Sequence, residues 1–489
     1  MPRTFHVMTI GFGRPVDGGE VAPAVAMVAA AATLALVWTL IAYRAGVLIA
    51  CALPLVVGLL ALIAWRPMAG AYLGVLCVPL EQMGFAAGAA DVTPAKGLLF
   101  YTGIVAAGHL VVRARPARPH PSHVAFGGLL LVGAVGLAVT DDSLTTAKIL
   151  AQWTSYLWLS MHVATADRDQ LYRLVGCIVL AGAVVGAGAV LNSGDQHLVA
   201  GGQAATGRAQ ASFDHPATLA FFLVLAFPLA LVLGFRSSTI VRLPAFAAAA
   251  LCIGGIMLSL TRGAILGAVF AILVMLLWTE FRRLAVALLM VILAFSAFNH
   301  EAIEQSPKVR VISARLQTIT QTRATSDNER TKIWSKTPQL IADHPFFGVG
   351  AGNFSTVSAG YNIVGPLGEP FQHAHDVFLT IAAEFGLLGL ALFTLFVGSL
   401  IRDATRVIVR DRASPSYPLA LGLAAALAGL FVNGVTDYPP ATLVIMGTLM
   451  LEIGAFIGYT RLMAAERVAA AAPLSPPPPP ERSASLPAP

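Results

Sequence analysis

Charged residues are scarce in this chain of 489 residues. Lys, Arg, Asp and Glu make up 11% of it, whereas a typical soluble domain carries about 25%, and 57% of the residues are hydrophobic. This balance excludes a soluble globular protein and predicts a polytopic membrane protein. The formal net charge of +6 then reflects arginines in the loops between apolar runs, so we expect no nucleic-acid partner.

Cysteine and the common metal-binding motifs are also scarce. The chain has no His-Glu-x-x-His and no Cys-x-x-Cys, and it lacks the Gly-x-Ser-x-Gly turn of serine hydrolases. We therefore expect no metal and no cofactor. The four cysteines all lie inside apolar runs, where buried thiols are expected rather than disulfides: Cys51, Cys77, Cys177 and Cys252.

Fourteen apolar runs are long enough to cross a bilayer. A count of 12 stays open, because Glu81, Gln82 and Asp91 interrupt the third and fourth runs. The sequence thus predicts an all-α polytopic membrane protein with about 12–14 transmembrane helices. The runs cover residues 22–43, 47–65, 68–85, 97–112, 123–140, 147–165, 171–191, 216–235, 243–260, 263–278, 284–299, 377–400, 418–435 and 440–459.

The loops between these runs alternate in their content of Arg and Lys. One set carries most of the arginines, from Arg66 to Arg467, and the opposite set holds scattered single basic residues such as Arg208 and Arg262. By the positive-inside rule the rich set and both termini are cytoplasmic. Arg208 and Arg262 then face outwards. The outer loops have no Asp-x-Asp motif, so any sugar-phosphate chemistry there is expected to be metal-independent.

One large outer loop is expected over residues 300–372, and we predict that it is helical. Spaced apolar residues predict an interfacial helix at 309–321. Asp327 or Asn328 would cap a second helix that ends at Ala342. The glycines that follow, between 348 and 352, predict a tight turn.

The spans divide the chain into three parts. Residues 1–21 form a cytoplasmic N-terminal segment, residues 22–460 a transmembrane domain, and residues 461–489 a Pro-rich, disordered cytoplasmic tail.

Two histidines and an aspartate, His373, His375 and Asp376, lie where the large loop enters the next apolar run. A titratable cluster at a membrane entrance is expensive to keep unless it is functional. An imidazole suits a general base near neutral pH, and Asp376 could raise the basicity of a neighbouring one. Interfacial histidines without a catalytic role are the alternative. No third metal ligand stands at a recognisable spacing.

Arg208 and Arg262 are the outward-facing arginines of interest. A guanidinium binds phosphate oxygens in a bidentate fork and stays charged, although a turn residue that reaches to lipid headgroups is the alternative. Arg208 precedes Asp214-His215-Pro216, in which Asp214 would cap the next helix and Pro216 would begin it.

Four sequence blocks resemble the bacterial O-antigen ligase and polysaccharide polymerase superfamily. His375, Asp376, nine residues and Gly386 fit the spacing of its histidine signature, although an amide or hydroxyl usually follows the histidine. The blocks lie in the family's order and extend over residues 205–390. They are Arg208–Ala220, Leu260–Gly267, Glu329–Trp334 with His344–Phe354, and His373–Gly389.

The resemblance implies a metal-independent, inverting glycosyltransferase. Its donor would be a glycan on undecaprenyl pyrophosphate at the periplasmic face of the inner membrane, and its acceptor a glycolipid, glycan or protein. His375 matches the catalytic base, and Arg208 and Arg262 match the arginines that hold the pyrophosphate. His373, Asp376 and Arg330 are secondary candidates.

Three other functions stay open. A polysaccharide polymerase would join lipid-linked repeat units through the same motifs. A transporter or flippase of lipid-linked glycans would carry broken helices in paired halves and ionisable residues near mid-membrane, and no internal repeat is evident. A scaffold would not need Arg208, Arg262 and His375 to converge.

Overall fold

The fold consists of helices joined by short loops. The computed structural model describes residues 47–83, 85–87, 90–112, 119–193, 197–198, 205–283, 285–286, 290, 306, 309–313, 325–365 and 367–471. Its helices are α1 (Val47–Trp65), α2 (Pro67–Leu76), α3 (Pro94–Val112), α4 (Pro121–Gly136), α5 (Ser143–Val163), α6 (Arg168–Leu191), α7 (Pro216–Arg236), α8 (Thr239–Leu258), α9 (Arg262–Met275), α10 (Thr325–Asp343), α11 (Phe354–Ser358), α12 (Val377–Arg410), α13 (Tyr417–Gly434) and α14 (Leu443–Ala471).

Strands are confined to two small antiparallel hairpins in the described part of the chain. Residues of β1 (Phe85–Ala87) pair with β2 (Ala90–Val92), and β3 (His197–Leu198) pairs with β4 (Ala205–Thr206). Among the described residues, seven helices are long and apolar enough to cross a membrane, namely α3, α6, α7, α8, α12, α13 and α14. The protein is therefore an all-α polytopic membrane protein, as predicted.

Twelve of the predicted runs fall on described residues, and a helix occupies each of them. The third is much shorter than expected: α2 covers only Pro67–Leu76, and a 3-10 turn and the β1–β2 hairpin follow it. Pro79 and the polar residues after it stop the helix. The runs at 22–43 and 284–299 lie wholly or mostly outside the described residues.

The chain divides into two compact units between Trp65 and Arg66. In the second unit α7 is central, with nearly every residue buried, and it packs against α6, α8 and α13. Glycines let α9 and α13 approach each other closely, since a β-carbon on Gly429 would lie 2.7 Å from the Gly267 carbonyl oxygen. This contact holds the start of α9 beside the end of α13.

A break in α12 shapes the region around the histidines. Gly386 adopts φ 71° and ψ −174° inside this helix, a conformation that glycine tolerates and other residues resist. The freed carbonyls of Ala383 and Glu384 accept hydrogen bonds from the backbone N–H groups of Val349 and Gly350, at 2.9 and 3.0 Å. The predicted glycine turn is therefore docked on the first segment of α12.

The large loop is helical in its described part. Helix α10 begins at Thr325, earlier than the start predicted at Asp327 or Asn328. It ends at Asp343, one residue beyond the predicted end. Residues 309–313 are helical, and the rest of the predicted interfacial helix lies outside the described residues.

Two further expectations concern the ends of the chain. Helix α14 continues to Ala471, beyond the boundary placed at residue 460, so the tail begins only after it. Residues 472–489 and the N-terminal segment lie outside the described residues. Cys77, Cys177 and Cys252 are free thiols, as expected.

Candidate active site

His375 lies in the loop before α12 in a left-handed backbone conformation, with φ 51°. Its backbone N–H donates to Nδ1 of His373 at 3.2 Å, and the two rings meet edge to face with centroids 4.4 Å apart. Non-glycine residues rarely adopt positive φ, and such positions cluster at functional sites. This turn places both imidazoles on one side of the loop.

Asp437 is the partner of His375 and was not predicted. Its Oδ1 lies 3.3 Å from His375 Nδ1, and it comes from the loop between α13 and α14. Burial alone would raise the pKa of Asp437, but the hydrogen bond with His375 and the charge of Arg330 help to lower it to about 2. Asp437 is therefore an anion at neutral pH.

His373 is held neutral. Burial and the neighbouring His375 lower its pKa to about 4. Its Nδ1 already accepts the His375 N–H, and its ring lies 5.5 Å from that of Tyr438. His373 therefore fixes the loop and does not compete with His375 for a proton near neutral pH.

Arg208 is positioned by the junction between α8 and α9. Its Nε donates to the Ser259 carbonyl at 2.7 Å, and a terminal nitrogen donates to Thr261 Oγ1 at 2.9 Å. Burial lowers the pKa of Arg208, and the charge of Asp437 opposes that effect. The guanidinium therefore lies within electrostatic reach of the His375–Asp437 pair.

His215 joins this group through its position at the start of α7. Its Nδ1 accepts the Ala217 N–H at 3.1 Å, so His215 caps the helix and the expectation that Asp214 does so is wrong. Pro216 is the first helical residue, as predicted. Burial and then the charge of Arg208 lower the pKa of His215.

Arg262 is the first residue of α9 and is half-buried. The two residues beside it contact other parts of the site. Thr261 accepts a hydrogen bond from Arg208. Gly263 packs so closely against α13 and the loop after it that a β-carbon would collide with Asn433 Oδ1 and Thr436 Oγ1. Thr436 precedes Asp437. The backbone of Arg262 thus lies between the elements that hold Arg208 and Asp437.

Arg330 approaches from the large loop, on α10. Its charge acts on Asp437, His373 and Arg208. The packing of α10 against α12 brings it there, together with a hydrogen bond of 2.9 Å from Trp334 Nε1 to the Ala374 carbonyl. The structure therefore brings together five predicted or newly found groups: His375, His373, Asp437, Arg208 and Arg330.

Asp376 has a different role from the one expected. Its Oδ1 accepts the Leu379 N–H at 2.8 Å and caps α12, and burial raises its pKa. The carboxylate that supports His375 is Asp437 and not Asp376. The acidic residue that departs from the usual family pattern is thus a helix cap in this chain.

Residues 247–394 match the family model for O-antigen ligase. This segment is similar to the O-antigen ligase family. It contains Arg262, Arg330 and the histidine pair, whereas Arg208 and Asp437 lie outside the match but inside the same site. No curated protein matched the chain.

A cavity of about 290 Å³, with a mixed polar and apolar lining, opens beside His373. Gln372, Glu384 and Tyr438 contribute polar atoms to its wall, and α5 contributes Thr145 and Trp153. Glu384 is buried and accepts hydrogen bonds from the backbone N–H groups of Gly352 and Phe354. The elements that hold Arg208 and Arg262 do not line this cavity.

The His373–His375–Asp437 group also has the ligand types of a metal site. One ligand atom from each residue lies within 4.8 Å of the others. The sequence spacing concealed this because Asp437 comes from a distant loop. The surroundings fit a metal poorly, since Arg208 and Arg330 already act on the single carboxylate, and a dication would be repelled by both.

Proposed function

We propose that the protein transfers a glycan from undecaprenyl pyrophosphate to an acceptor hydroxyl, with inversion and without a metal. The observation that carries the proposal is the His375–Asp437 pair within electrostatic reach of Arg208 and Arg330. A base beside clustered cations suits a reaction in which a proton is removed from one oxygen while negative charge develops on another.

His375 acts as the general base. Because Asp437 accepts the hydrogen on Nδ1, Nε2 of the neutral ring is the nitrogen that can take a proton. The acceptor oxygen attacks the anomeric carbon and gives its proton to Nε2. The bond from that carbon to the pyrophosphate oxygen breaks, and undecaprenyl pyrophosphate leaves with the electron pair.

The arginines stabilise the leaving group. Arg208 lies in the loop before α7, Arg262 begins α9, and Arg330 lies on α10. Guanidinium groups fixed in advance stabilise the developing charge more strongly than mobile water does, by several kcal/mol in typical sites. Arg208 is fixed by Ser259 and Thr261, so little reorganisation is needed.

The cavity beside His373 suits the acceptor sugar. An inverting displacement requires the acceptor to approach from the side opposite the leaving group. The cavity adjoins the histidines, and its walls come from α5, α12 and the loop before α14, not from the arginine-bearing α8–α9 junction.

The proposed orientation in the membrane follows from the uneven distribution of Arg and Lys among the loops. The site faces the periplasm, the chain lies in the bacterial inner membrane, and both termini are cytoplasmic.

Transfer by the purified protein tests the proposal. The assay supplies a lipid-linked glycan and a defined acceptor, and compares wild type with His375→Ala and Arg262→Ala. Asp376→Asn is the matched control, because that side chain caps a helix and leaves His375 alone. Loss of transfer in the first two variants is expected; unchanged transfer in both would refute the assignments. Lipid A-core and a second lipid-linked repeat as acceptors separate a ligase from a polymerase.

A further inference from the structure

A second cavity, with a mainly polar lining, lies at the end of the bundle opposite His375. Helix α12 begins next to His375 and ends at Arg410, and the cavity surrounds its last turns. It measures about 420 Å³ and is lined on its other sides by the start of α4 and the end of α14. The glycan-transfer site uses none of its residues.

Four arginines and two aspartates line this cavity. They are Arg402, Arg406, Arg410, Arg467, Asp403 and Asp411. Their formal charge is +2. The side chains of Arg402, Arg406 and Arg467 are each about half exposed, whereas those of both aspartates are buried.

Asp403 organises the arginines. Its Oδ1 accepts hydrogen bonds from Arg402 Nε at 3.1 Å and from Arg406 at 3.2 Å. Across the cavity, Arg467 forms an ion pair of 2.7 Å with Asp411. The carboxylates thus hold one edge of three of the four guanidinium groups, those of Arg402, Arg406 and Arg467.

His120 completes the wall as a hydrogen-bonding partner of Asp403. Its Nδ1 accepts the Ser122 backbone N–H at 3.3 Å, so the ring hydrogen is on Nε2, which lies 2.6 Å from Asp403 Oδ2. This bond occupies the second oxygen of Asp403. The remaining hydrogen-bonding capacity of the arginines is therefore available to an anion.

We propose that this cavity binds a phosphate group. Arginine forks match the oxygens of phosphate, and basic cavities between membrane-spanning helices bind the headgroups of anionic lipids. The positive-inside rule explains arginines at this end of the bundle but not their convergence on one cavity. Arg282 and Arg283, also exposed near the end of α9, do not line this cavity.

Thermal unfolding of the full-length protein in detergent tests the proposal. Phosphatidylglycerol, phosphatidylcholine and inorganic phosphate are added in separate titrations. A rise in the unfolding midpoint with phosphatidylglycerol alone identifies a lipid headgroup, and a rise with inorganic phosphate identifies a free phosphate. No rise with either anion overturns the proposal.

Arginine variants test whether the anion binds in this cavity. Arg410→Gln removes a guanidinium that lines the cavity but does not bind Asp403, and Arg402→Gln with Arg406→Gln removes two that do. The apparent affinity for the anion should fall by about tenfold for each lost fork. Arg282→Gln with Arg283→Gln should leave it unchanged. Equal losses in the control and in Arg410→Gln would show general surface attraction and overturn the proposal.

Discussion

Oδ1 of Asp437 lies 3.3 Å from Nδ1 of His375, although the two residues are 62 positions apart in the sequence. The pair forms because α12 and α13 return the chain to the same end of the bundle. The carboxylate fixes which imidazole nitrogen carries hydrogen and stabilises the imidazolium that forms when His375 takes a proton. This relationship makes His375 the candidate base and gives His373 a supporting role.

Replacing Asp437 with Asn should reduce the rate of transfer far more than substrate binding. The amide can hold the wrong tautomer of His375 and cannot stabilise its protonated form, so kcat should fall by about 10²- to 10⁴-fold with KM little changed. Steady-state kinetics with the lipid-linked donor measure this. Asp376→Asn should stay within a few-fold of wild type, and an equal loss in both variants would contradict the assignment.

Removing metals should leave transfer intact. The Arg208 and Arg330 charges around Asp437 disfavour a resident dication, so treatment with EDTA should not lower the rate. Excess zinc should inhibit, because His373, His375 and Asp437 present their ligand atoms within 4.8 Å of one another. The variant His373→Gln should be less sensitive to zinc. Restoration of an EDTA-treated enzyme by a metal would instead establish a metal-dependent reaction.

The pKa of His373 predicts how stability depends on pH. An unfolded histidine binds a proton near its ordinary pKa of 6.5, whereas folded His373 does so near 4, because of burial. The unfolded state therefore binds more protons between these values, and the free energy of unfolding should fall as pH falls from 6.5 to 4. Asp437, with a pKa of about 2, stays ionised throughout.

Thermal unfolding at a series of pH values measures this dependence. His373→Gln should flatten the curve between pH 6.5 and 4, while His215, whose pKa is also lowered by burial, leaves a residual slope. Above pH 6.5 the slopes of the two proteins should coincide. A variant with the wild-type slope below pH 6.5 would show that other groups control the acid response.

Most helices could be predicted because apolar runs of this length must form helices in a bilayer. His375 and Arg208 could be predicted as site residues from their position at the ends of these runs and from family motifs, and Arg330 from a family motif alone. Asp437 was missed although it is the only carboxylate between the last two runs, since nothing local pairs it with a histidine. The role of Asp376 was also hidden, because a capping aspartate and a catalytic one look alike in sequence.

The break in α12 depends on tertiary contacts and gives the last prediction. Gly386 has φ 71°, and a β-carbon there would collide with the backbone of Phe346. Gly386→Ala should therefore destabilise the protein by about 1–3 kcal/mol or more and displace the loop that docks on Ala383 and Glu384. Gly398→Ala, in the same helix with open space around it, should be neutral or stabilise by up to about 1 kcal/mol.

The two alanine variants should differ both in their stability to unfolding in detergent and in their transfer activity. Because the docked loop supplies the backbone N–H groups of Gly352 and Phe354 to Glu384, its displacement also deforms the cavity beside His373. Gly386→Ala should thus lose activity even at temperatures at which it remains folded. If the folded variant keeps full activity, the break in α12 stabilises the fold but does not position the site.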